Sequence, residues 1–248
     1  MYPKRRGPPR TFDRMARDGA IIVTMILHLH LVRHGQTVFN RYNRLQGWCD
    51  SPLTDAGLAD ADKAGRKLAD VDFAAAYCSD TSRARITAAR ILDINEGSGH
   101  RRPALVDDMH FREQCYGYFE GQDMSLAWTA AGGPHGAPSY NAIVTRYGLS
   151  ATRDMLKAAD PFHDAESDAE YWERVEGAFA LIAANPTLHD DDHVLQIAHG
   201  NTLLSLAHRF GGDGLDLSER PANGSVTVVD FDTERPFESA LTIVSYNG

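Results

Sequence analysis

Three short polar motifs follow apolar runs of the sequence. They are Arg33-His34-Gly35, the turn Ser79-Asp80-Thr81-Ser82-Arg83, and Ala198-His199-Gly200-Asn201. A neutral imidazole is a competent nucleophile toward phosphorus, and histidine has an ordinary pKa of about 6.5. Guanidinium groups bind phosphate oxygens through paired hydrogen bonds. The motifs therefore predict a phosphate site in which His34 attacks phosphorus and arginines hold the phosphoryl group.

The segments around the motifs alternate between strand and helix patterns. Strands are predicted at residues 26–32, 73–78 and 193–198, and helices at 54–69, 83–94 and 202–210. This alternation is typical of an α/β fold, and we predict a three-layer α/β/α sandwich with a mostly parallel sheet. Because ligands bind at the carboxyl ends of parallel strands, the three motifs are expected at one edge of the sheet.

Between about residues 121 and 165 the sequence changes to Gly-Pro-rich turns and short helical patterns. We predict an inserted helical cap within a single domain that spans residues 25–248. Caps of this kind often select substrates. Aromatic and basic residues of the segment are candidates for lining the site: Trp128, His135, Tyr140, Arg146 and Tyr147. Residues 1–24 are predicted to be a disordered tail or to precede the true start at Met25.

Composition narrows the possible partners. The formal net charge of -9 argues against nucleic-acid binding. The same charge repels anionic substrates, so a phosphate site must be built from clustered Arg and His. The cysteines Cys49, Cys78 and Cys115 match no zinc spacing and suit a reducing compartment, which predicts a cytoplasmic protein. The apolar run at residues 20–27 is too short to span a membrane. The oligomeric state is left open.

The segments Leu31 to Thr37 and Leu45 to Trp48 resemble the opening signature of the histidine phosphatase (phosphoglycerate mutase-like) superfamily. Residues 50–57, 83–88 and 198–200 are similar to later segments of that family. The resemblance implies a phosphorylated small-molecule substrate and a reaction through phosphohistidine, without cofactor or metal.

The family's residue roles are carried over by position. His34 matches the residue that becomes phosphorylated, and Arg33, Arg83 and His199 match those that hold the phosphate. Glu113 matches the proton donor, which protonates the leaving oxygen and then activates water. Further matching positions are expected to line the substrate site: Asn40, Gln46, Gly47, Gly200 and Asn201.

One departure from the family favours a phosphatase over a phosphoglycerate mutase. Mutases of the family usually place Arg directly after the acid to hold a second acidic group, whereas Gln114 follows Glu113 here. A phosphatase is therefore the leading hypothesis, with a 2,3-bisphosphoglycerate-dependent mutase as the alternative. A metal-dependent hydrolase that uses His28 and His30, and a binding module that senses a phosphorylated metabolite, are weaker alternatives.

Overall fold

A six-stranded sheet is the central layer of the computed structural model, which describes residues 25–212, 214–217 and 220–248. Its strands are β1 (Ile26–Arg33), β2 (Phe73–Cys78), β3 (Leu105–Asp107), β4 (His193–Ala198), β5 (Val226–Asp232) and β6 (Leu241–Ser245). The strand order is β3-β2-β4-β1-β5-β6. The first four strands are mutually parallel, while β5 and β6 join in antiparallel orientation. The predicted mostly parallel sheet is confirmed. The prediction for residues 1–24 lies outside the described residues.

The helices of the described chain follow the strands or connect them. They are α1 (Val38–Arg41), α2 (Asp55–Lys67), α3 (Ser82–Gly97), α4 (Met124–Gly132), α5 (Tyr140–Tyr147), α6 (Ser150–Ala159), α7 (Asp168–Ala183), α8 (Gly200–Phe210) and α9 (Phe237–Ala240). Local sequence explains two of their starts. The Thr54 hydroxyl accepts a hydrogen bond from the Gly57 N–H at α2, and Ser167 forms a capping box with Glu170 at α7.

The two faces of the sheet are covered by different helices, which gives the three-layer arrangement. Alternate side chains of β1 such as Leu27 and Leu29 pack against α7 and α8. On the opposite face Val32 packs with residues of α2 and α3. The face of α7 that packs against the sheet is buried at Tyr171, Val175, Phe179 and Ile182.

Helices α4, α5 and α6 pack around an apolar cluster of their own. Trp128, Ile143 and Leu156 are fully or almost fully buried in that cluster, together with Leu45 and Tyr116 from neighbouring loops. These helices occupy the segment that the sequence analysis assigns to a cap. In the described chain, no helix is both long and apolar enough to cross a membrane.

A tight backbone contact joins the start of the first motif to α2. A Cβ atom added to Gly35 would lie 2.0 Å from the Gly57 carbonyl oxygen, and one added to Gly57 would lie 2.0 Å from the Gln36 carbonyl oxygen. Both positions therefore require glycine. This contact fixes the loop after β1, and so the place of His34, against the helix behind it.

Candidate active site

The carboxyl ends of neighbouring parallel strands bring the three predicted motifs together. His34 follows β1, and its ring centre lies 5.1 Å from the ring centre of His199, which follows β4. Arg83 lies in the first turn of α3, just after β2, and is fully buried. Glu113 reaches the same region from the loop after β3 and lines a small cavity with His34.

The imidazole of His34 is held with one nitrogen free to react. Its Nδ1 lies 2.8 Å from the carbonyl oxygen of Gly35. Because a carbonyl oxygen only accepts hydrogen bonds, Nδ1 carries the proton and Nε2 keeps its lone pair. Burial, with the positive charges of Arg83 and Arg33, lowers the pKa of His34 well below its ordinary value. The ring is therefore a neutral nucleophile at pH 7.

Arg33 supplies a buried guanidinium beside His34. Its Nη1 donates to the Pro221 carbonyl, while its Nε is buried with no partner in the described chain. A Cβ on Gly200 would lie 3.1 Å from Arg33 Cζ, so the glycine leaves room for the guanidinium. Burial, followed by repulsion from Arg220, lowers the pKa of Arg33 to about 10. At pH 7 Arg33 is still charged and available to bind an anion.

Arg83 acts partly as a structural residue of the loop before α2. Its Nη2 donates to the Gly47 carbonyl at 2.7 Å, and its Nη1 to the Cys49 carbonyl at 2.8 Å and to Asp50 at 3.1 Å. The Gln46 amide, oriented with its oxygen toward Arg83, accepts from Nη1 at 3.1 Å. Arg83 thus positions this loop while its charge favours the neutral form of His34.

The Glu113 carboxylate lies at the amino-terminal end of α8. Its Oε2 accepts from the Asn201 N–H at 2.7 Å, and its Oε1 accepts from the Thr202 hydroxyl at 2.9 Å. Both oxygens of the Glu113 side chain are therefore held by donors at that end of the helix. The Glu113 side chain is 5% exposed, which shields it from bulk water.

A buried ion pair fixes the loop that carries Glu113. Arg174 of α7 donates to the carbonyls of Arg112 and Glu113 at 2.7 and 3.2 Å. It also makes two hydrogen bonds to Glu166, at 2.6 and 2.9 Å. Glu166 in turn accepts from the Cys115 N–H at 2.8 Å. The backbone on both sides of Glu113 is therefore held by one arginine–carboxylate pair.

His199 is the N-cap residue of α8 and lies against the His34 ring. Its Nε2 is 3.0 Å from the Ser79 hydroxyl, and its Nδ1 is buried with no partner in the described chain. Burial, with the charge of Arg83, lowers the pKa of His199 well below its ordinary value. His199 is therefore neutral at pH 7 and has a ring nitrogen that the described protein leaves unused.

Two adjoining cavities open over these residues. The inner one has a volume of about 30 Å³ and is called the phosphate pocket below. It is lined by seven of the predicted site residues: Arg33, His34, Asn40, Gln46, Glu113, Gly200 and Asn201. The outer cavity, of about 480 Å³, shares Arg33, Asn40, Met124 and Arg220 with it.

Three predicted residues lie outside the phosphate pocket lining, namely Arg83, His199 and Gly47. Arg83 and His199 lie beside His34 instead. Gly47 contributes its carbonyl to Arg83, and a Cβ there would lie 1.8 Å from the Gln114 carbonyl oxygen. Close backbone packing, rather than substrate contact, accounts for this glycine.

Arg220 is a site residue that the sequence analysis missed. It lines both cavities, and its Nε donates to Asn201 Oδ1. Its guanidinium carbon lies 4.9 Å from the centre of the Tyr140 ring. Asn201 also donates to the Tyr116 hydroxyl at 2.6 Å. Arg220 stands in a loop with no motif around it, so nothing local in the sequence indicates its role.

The five cap residues that were candidates for lining the site do not all lie at the cavity. Tyr140 lines the outer cavity, as predicted. Trp128 is buried in the apolar cluster of the cap, and the Tyr147 hydroxyl donates to the His135 carbonyl at 2.8 Å. Arg146 lies near the same carbonyl. His135, Arg146 and Tyr147 are exposed on the cap, and none of these four residues is among those that line the two cavities described above. Their spacing in the sequence could not show which face of the cap each residue occupies.

His28 and His30 lie toward the amino-terminal part of β1, away from the strand end that carries His34. His28 bonds Asp230 at 2.7 Å and Asp191 at 2.9 Å, and His30 lies 3.0 Å from His193. Burial alone would lower the pKa of His28, but the hydrogen bonds to the two carboxylates outweigh burial and raise it. Burial lowers the pKa of His30 to about 4. Across the described residues, no group of three or more His, Cys, Asp or Glu is placed to hold a metal ion.

Comparisons of sequence and of structure with known proteins agree on one family. Residues 29–243 match the histidine phosphatase superfamily (branch 1). A 2,3-bisphosphoglycerate-dependent phosphoglycerate mutase 2 of Gloeobacter violaceus is 29% identical over 187 residues, which cover 72% of this chain and 73% of that protein. The fructose-2,6-bisphosphatase TIGAR of Mus musculus is 27% identical, covering 88% and 93% of the two chains. The crystal structure of phosphoglycerate mutase from Bacillus anthracis superposes with a TM-score of 0.78 at 28% identity, covering 90% and 94%.

Proposed function

Because this chain belongs to the histidine phosphatase superfamily, we propose that it is a metal-independent phosphatase that hydrolyses a phosphate monoester of a small metabolite through phospho-His34. The observation that carries the proposal is the His34 ring itself. Its Nδ1 proton is held by the Gly35 carbonyl, and the residue lines a pocket that also contains Arg33, Arg220 and Glu113. A neutral nucleophile, fixed cations and an acid are the groups that the reaction requires.

In the first step, Nε2 of His34 attacks phosphorus and the bond from phosphorus to the ester oxygen breaks. The electron pair stays on that oxygen, which takes a proton from Glu113 and leaves as an alcohol. Arg33 and Arg220 neutralise the phosphoryl oxygens during the transfer. Arg83 and His199 adjoin His34, and the unpartnered nitrogens of these two residues can also face the phosphoryl group.

In the second step, Glu113 accepts a proton from water as that water attacks the phosphohistidine. A new bond forms from the water oxygen to phosphorus, and the bond from phosphorus to Nε2 breaks. Inorganic phosphate leaves, and His34 is again neutral. Glu113 therefore serves as the acid in one step and as the base in the next.

Trapping the intermediate tests this mechanism. The enzyme is incubated with p-nitrophenyl phosphate and excess chelator, quenched in alkali, in which phosphohistidine survives, and analysed by intact mass. We expect one phosphate adduct and steady turnover in wild type, and neither in His34→Ala. His189→Ala, at an exposed histidine, is the matched control and should behave as wild type. Turnover that persists in His34→Ala, or that chelator abolishes, would contradict the proposal and favour the hydrolase hypothesis centred on His28 and His30.

A phosphoglycerate mutase is the second candidate, favoured by the similarity to mutases and by Arg220, a further cation in the pocket lining. Position 114 argues against a mutase. The residue directly after the acid is glutamine and is only 1% exposed, so this position does not present a cation to the substrate. Incubation with 3-phosphoglycerate, with and without 2,3-bisphosphoglycerate, separates the two. A phosphatase releases inorganic phosphate, whereas a mutase forms 2-phosphoglycerate only when the primer is present.

A further inference from the structure

In the part of the chain that the structure describes, the residues that line the outer cavity but not the phosphate pocket carry no formal charge at pH 7. Among the described residues that line it, Arg33 and Arg220 are the charged ones, and both also line the phosphate pocket. His208 lines the outer cavity alone, and burial lowers its pKa, so that it is uncharged at pH 7. A second acidic group on the substrate would therefore find no cation of its own in the described part of this cavity.

Carboxamides provide most of the polar lining of the outer cavity. They are Gln36, Asn40, Asn43, Asn141 and Asn223. A carboxamide both donates and accepts hydrogen bonds, as a hydroxyl group does, so the two kinds of group complement each other. Carboxylates and phosphates only accept, and they bind better to cations.

Several of these amides are already held in place by the protein. The Thr54 hydroxyl donates to Gln36 Oε1 at 3.0 Å, and Asn223 Nδ2 donates to the His34 carbonyl at 2.8 Å. One end of each amide is thereby fixed, and both side chains line the cavity. Such preorganised amides bind hydroxyl groups with little further loss of side-chain entropy.

The remaining lining is apolar and comes from the cap and from α8 and the loop after it. It consists of Met124, Tyr140, Val144, Leu149, Leu204 and Leu217. A sugar presents C–H groups on its faces and hydroxyl groups around its edge, so it matches a cavity that combines apolar side chains with amides. The volume of about 480 Å³ accommodates a group of that size.

We propose that the alcohol released from the phosphate is an uncharged polyhydroxyl group, so that the substrate is a sugar or sugar-alcohol monophosphate. This inference rests on the proposed phosphatase function and defines its substrate class. The phosphate occupies the inner pocket, while the hydroxyl groups of the leaving alcohol bind the amides of the outer cavity.

A substrate panel provides the first test. We would measure kcat/KM for glucose 1-phosphate, fructose 6-phosphate and sorbitol 6-phosphate, and for 3-phosphoglycerate and 2-phosphoglycolate, with p-nitrophenyl phosphate as the reference. The best sugar phosphate should exceed both carboxylated substrates by about tenfold or more. A preference for a carboxylated substrate would overturn the inference and leave the phosphatase mechanism intact. Absence of turnover of the reference compound would instead indicate that the proposed function has failed.

A variant in the cap tests the amides directly. Asn141→Leu in α5 removes one amide at similar side-chain volume, and should lower the kcat/KM for the best sugar phosphate about tenfold relative to p-nitrophenyl phosphate. Asn43 is less suitable for substitution, because its φ of 55° lies in the left-handed region, where leucine would be strained. Thr145→Leu, at an exposed position of α5 outside the cavity lining, is the matched control and should leave the ratio unchanged. An unchanged ratio in Asn141→Leu would overturn the inference.

Discussion

Glu113 combines two properties that a residue acting as both acid and base needs. It is buried beside the nucleophile, and it is oriented by the Asn201 N–H and the Thr202 hydroxyl. Both donors act on the carboxylate, so the side chain has little freedom to turn away from the pocket. At the residue scale, the proposed acid–base group is therefore already positioned in the site.

Glu113→Gln should separate the two chemical steps. The glutamine oxygen can still accept from the Asn201 N–H, and the glutamine NH2 can donate to the Thr202 hydroxyl, so the fold is expected to survive. Glutamine cannot give or take a proton in the reaction. With p-nitrophenyl phosphate, whose leaving group needs little protonation, His34 should still be phosphorylated, and hydrolysis of the adduct should slow by about 10²-fold or more. Rapid-quench measurements should then show a burst of p-nitrophenol and an accumulated phosphoenzyme. Steady-state turnover equal to wild type would argue against the assigned role.

The residues that the sequence could identify are those that stand in local motifs. Arg33, His34 and Glu113 are found in this way, and the structure places all three around one pocket. Arg220 could not be found, because its role depends on a loop returning to β1 from far along the chain. The motif also contains Gly35, but the sequence could not show why glycine is needed there, because the reason is the backbone contact with Gly57 in α2.

At the scale of elements, the ends of the strands place the site residues, and the helices hold the loops that carry those residues. The strand β1 was predicted at residues 26–32 and extends over Ile26–Arg33, while β2 and β4 have the predicted bounds. These runs were predictable because parallel strands buried on both faces read as continuous apolar segments. The three-residue strand β3 was not predicted, since so short a run has no periodicity to detect.

The ion pair between α7 and the Glu113 loop gives a prediction at this scale. Arg174→Met leaves Glu166 buried without its cation, and should lower the free energy of unfolding by about 3 kcal/mol or more. The double variant Arg174→Met/Glu166→Met should lose less than the sum of the two single changes, because no uncompensated charge remains. Arg90→Met, which breaks the partly exposed pair with Asp62, is the control and should cost less than about 1 kcal/mol.

Denaturant unfolding of wild type and of the four variants measures these values. Additive effects of Arg174→Met and Glu166→Met would mean that the pair contributes no coupling. Because Arg174 also binds the Glu113 carbonyl, we expect its loss to lower kcat more than the Arg90 change does, with KM less affected.

For the whole molecule, the ionisation of buried histidines links stability to pH. Burial lowers the pKa of His30 to about 4, and lowers the pKa values of His34, His193, His199 and His208. Below about pH 6.5 the unfolded chain binds protons at these positions and the folded chain does not, so stability falls as the pH is lowered. His28, whose pKa is raised, acts in the opposite direction.

The free energy of unfolding should therefore decrease steadily from pH 6.5 toward pH 4, with net proton uptake on unfolding. Urea titrations across this range, repeated on His30→Phe, measure the effect. The variant should show a shallower slope, by up to about one proton, because one of the contributing groups is gone. A wild-type stability that rises on acidification over this range would contradict the assignment.

The overall architecture was more predictable than the cavity. The strand and helix patterns that indicate an α/β sandwich can each be recognised within one stretch of chain. The outer cavity, in contrast, is assembled from the loop after β1, the cap, α8 and the segment after α8. No local pattern reports such a meeting of distant segments. For the same reason, the sequence could not distinguish Tyr140, which lines the cavity, from Tyr147, whose hydroxyl donates to the His135 carbonyl within the cap.

The separation of the site into two cavities also bears on how enzymes of this architecture change over evolutionary time. The phosphate pocket is locked by contacts that tolerate little variation, among them the glycine pair Gly35 and Gly57. The outer cavity draws part of its lining from α5, at Asn141 and Val144, where side chains can be exchanged without disturbing His34 or Glu113. A lineage can thus acquire a new substrate by drift in one cavity while the reaction in the other is inherited intact.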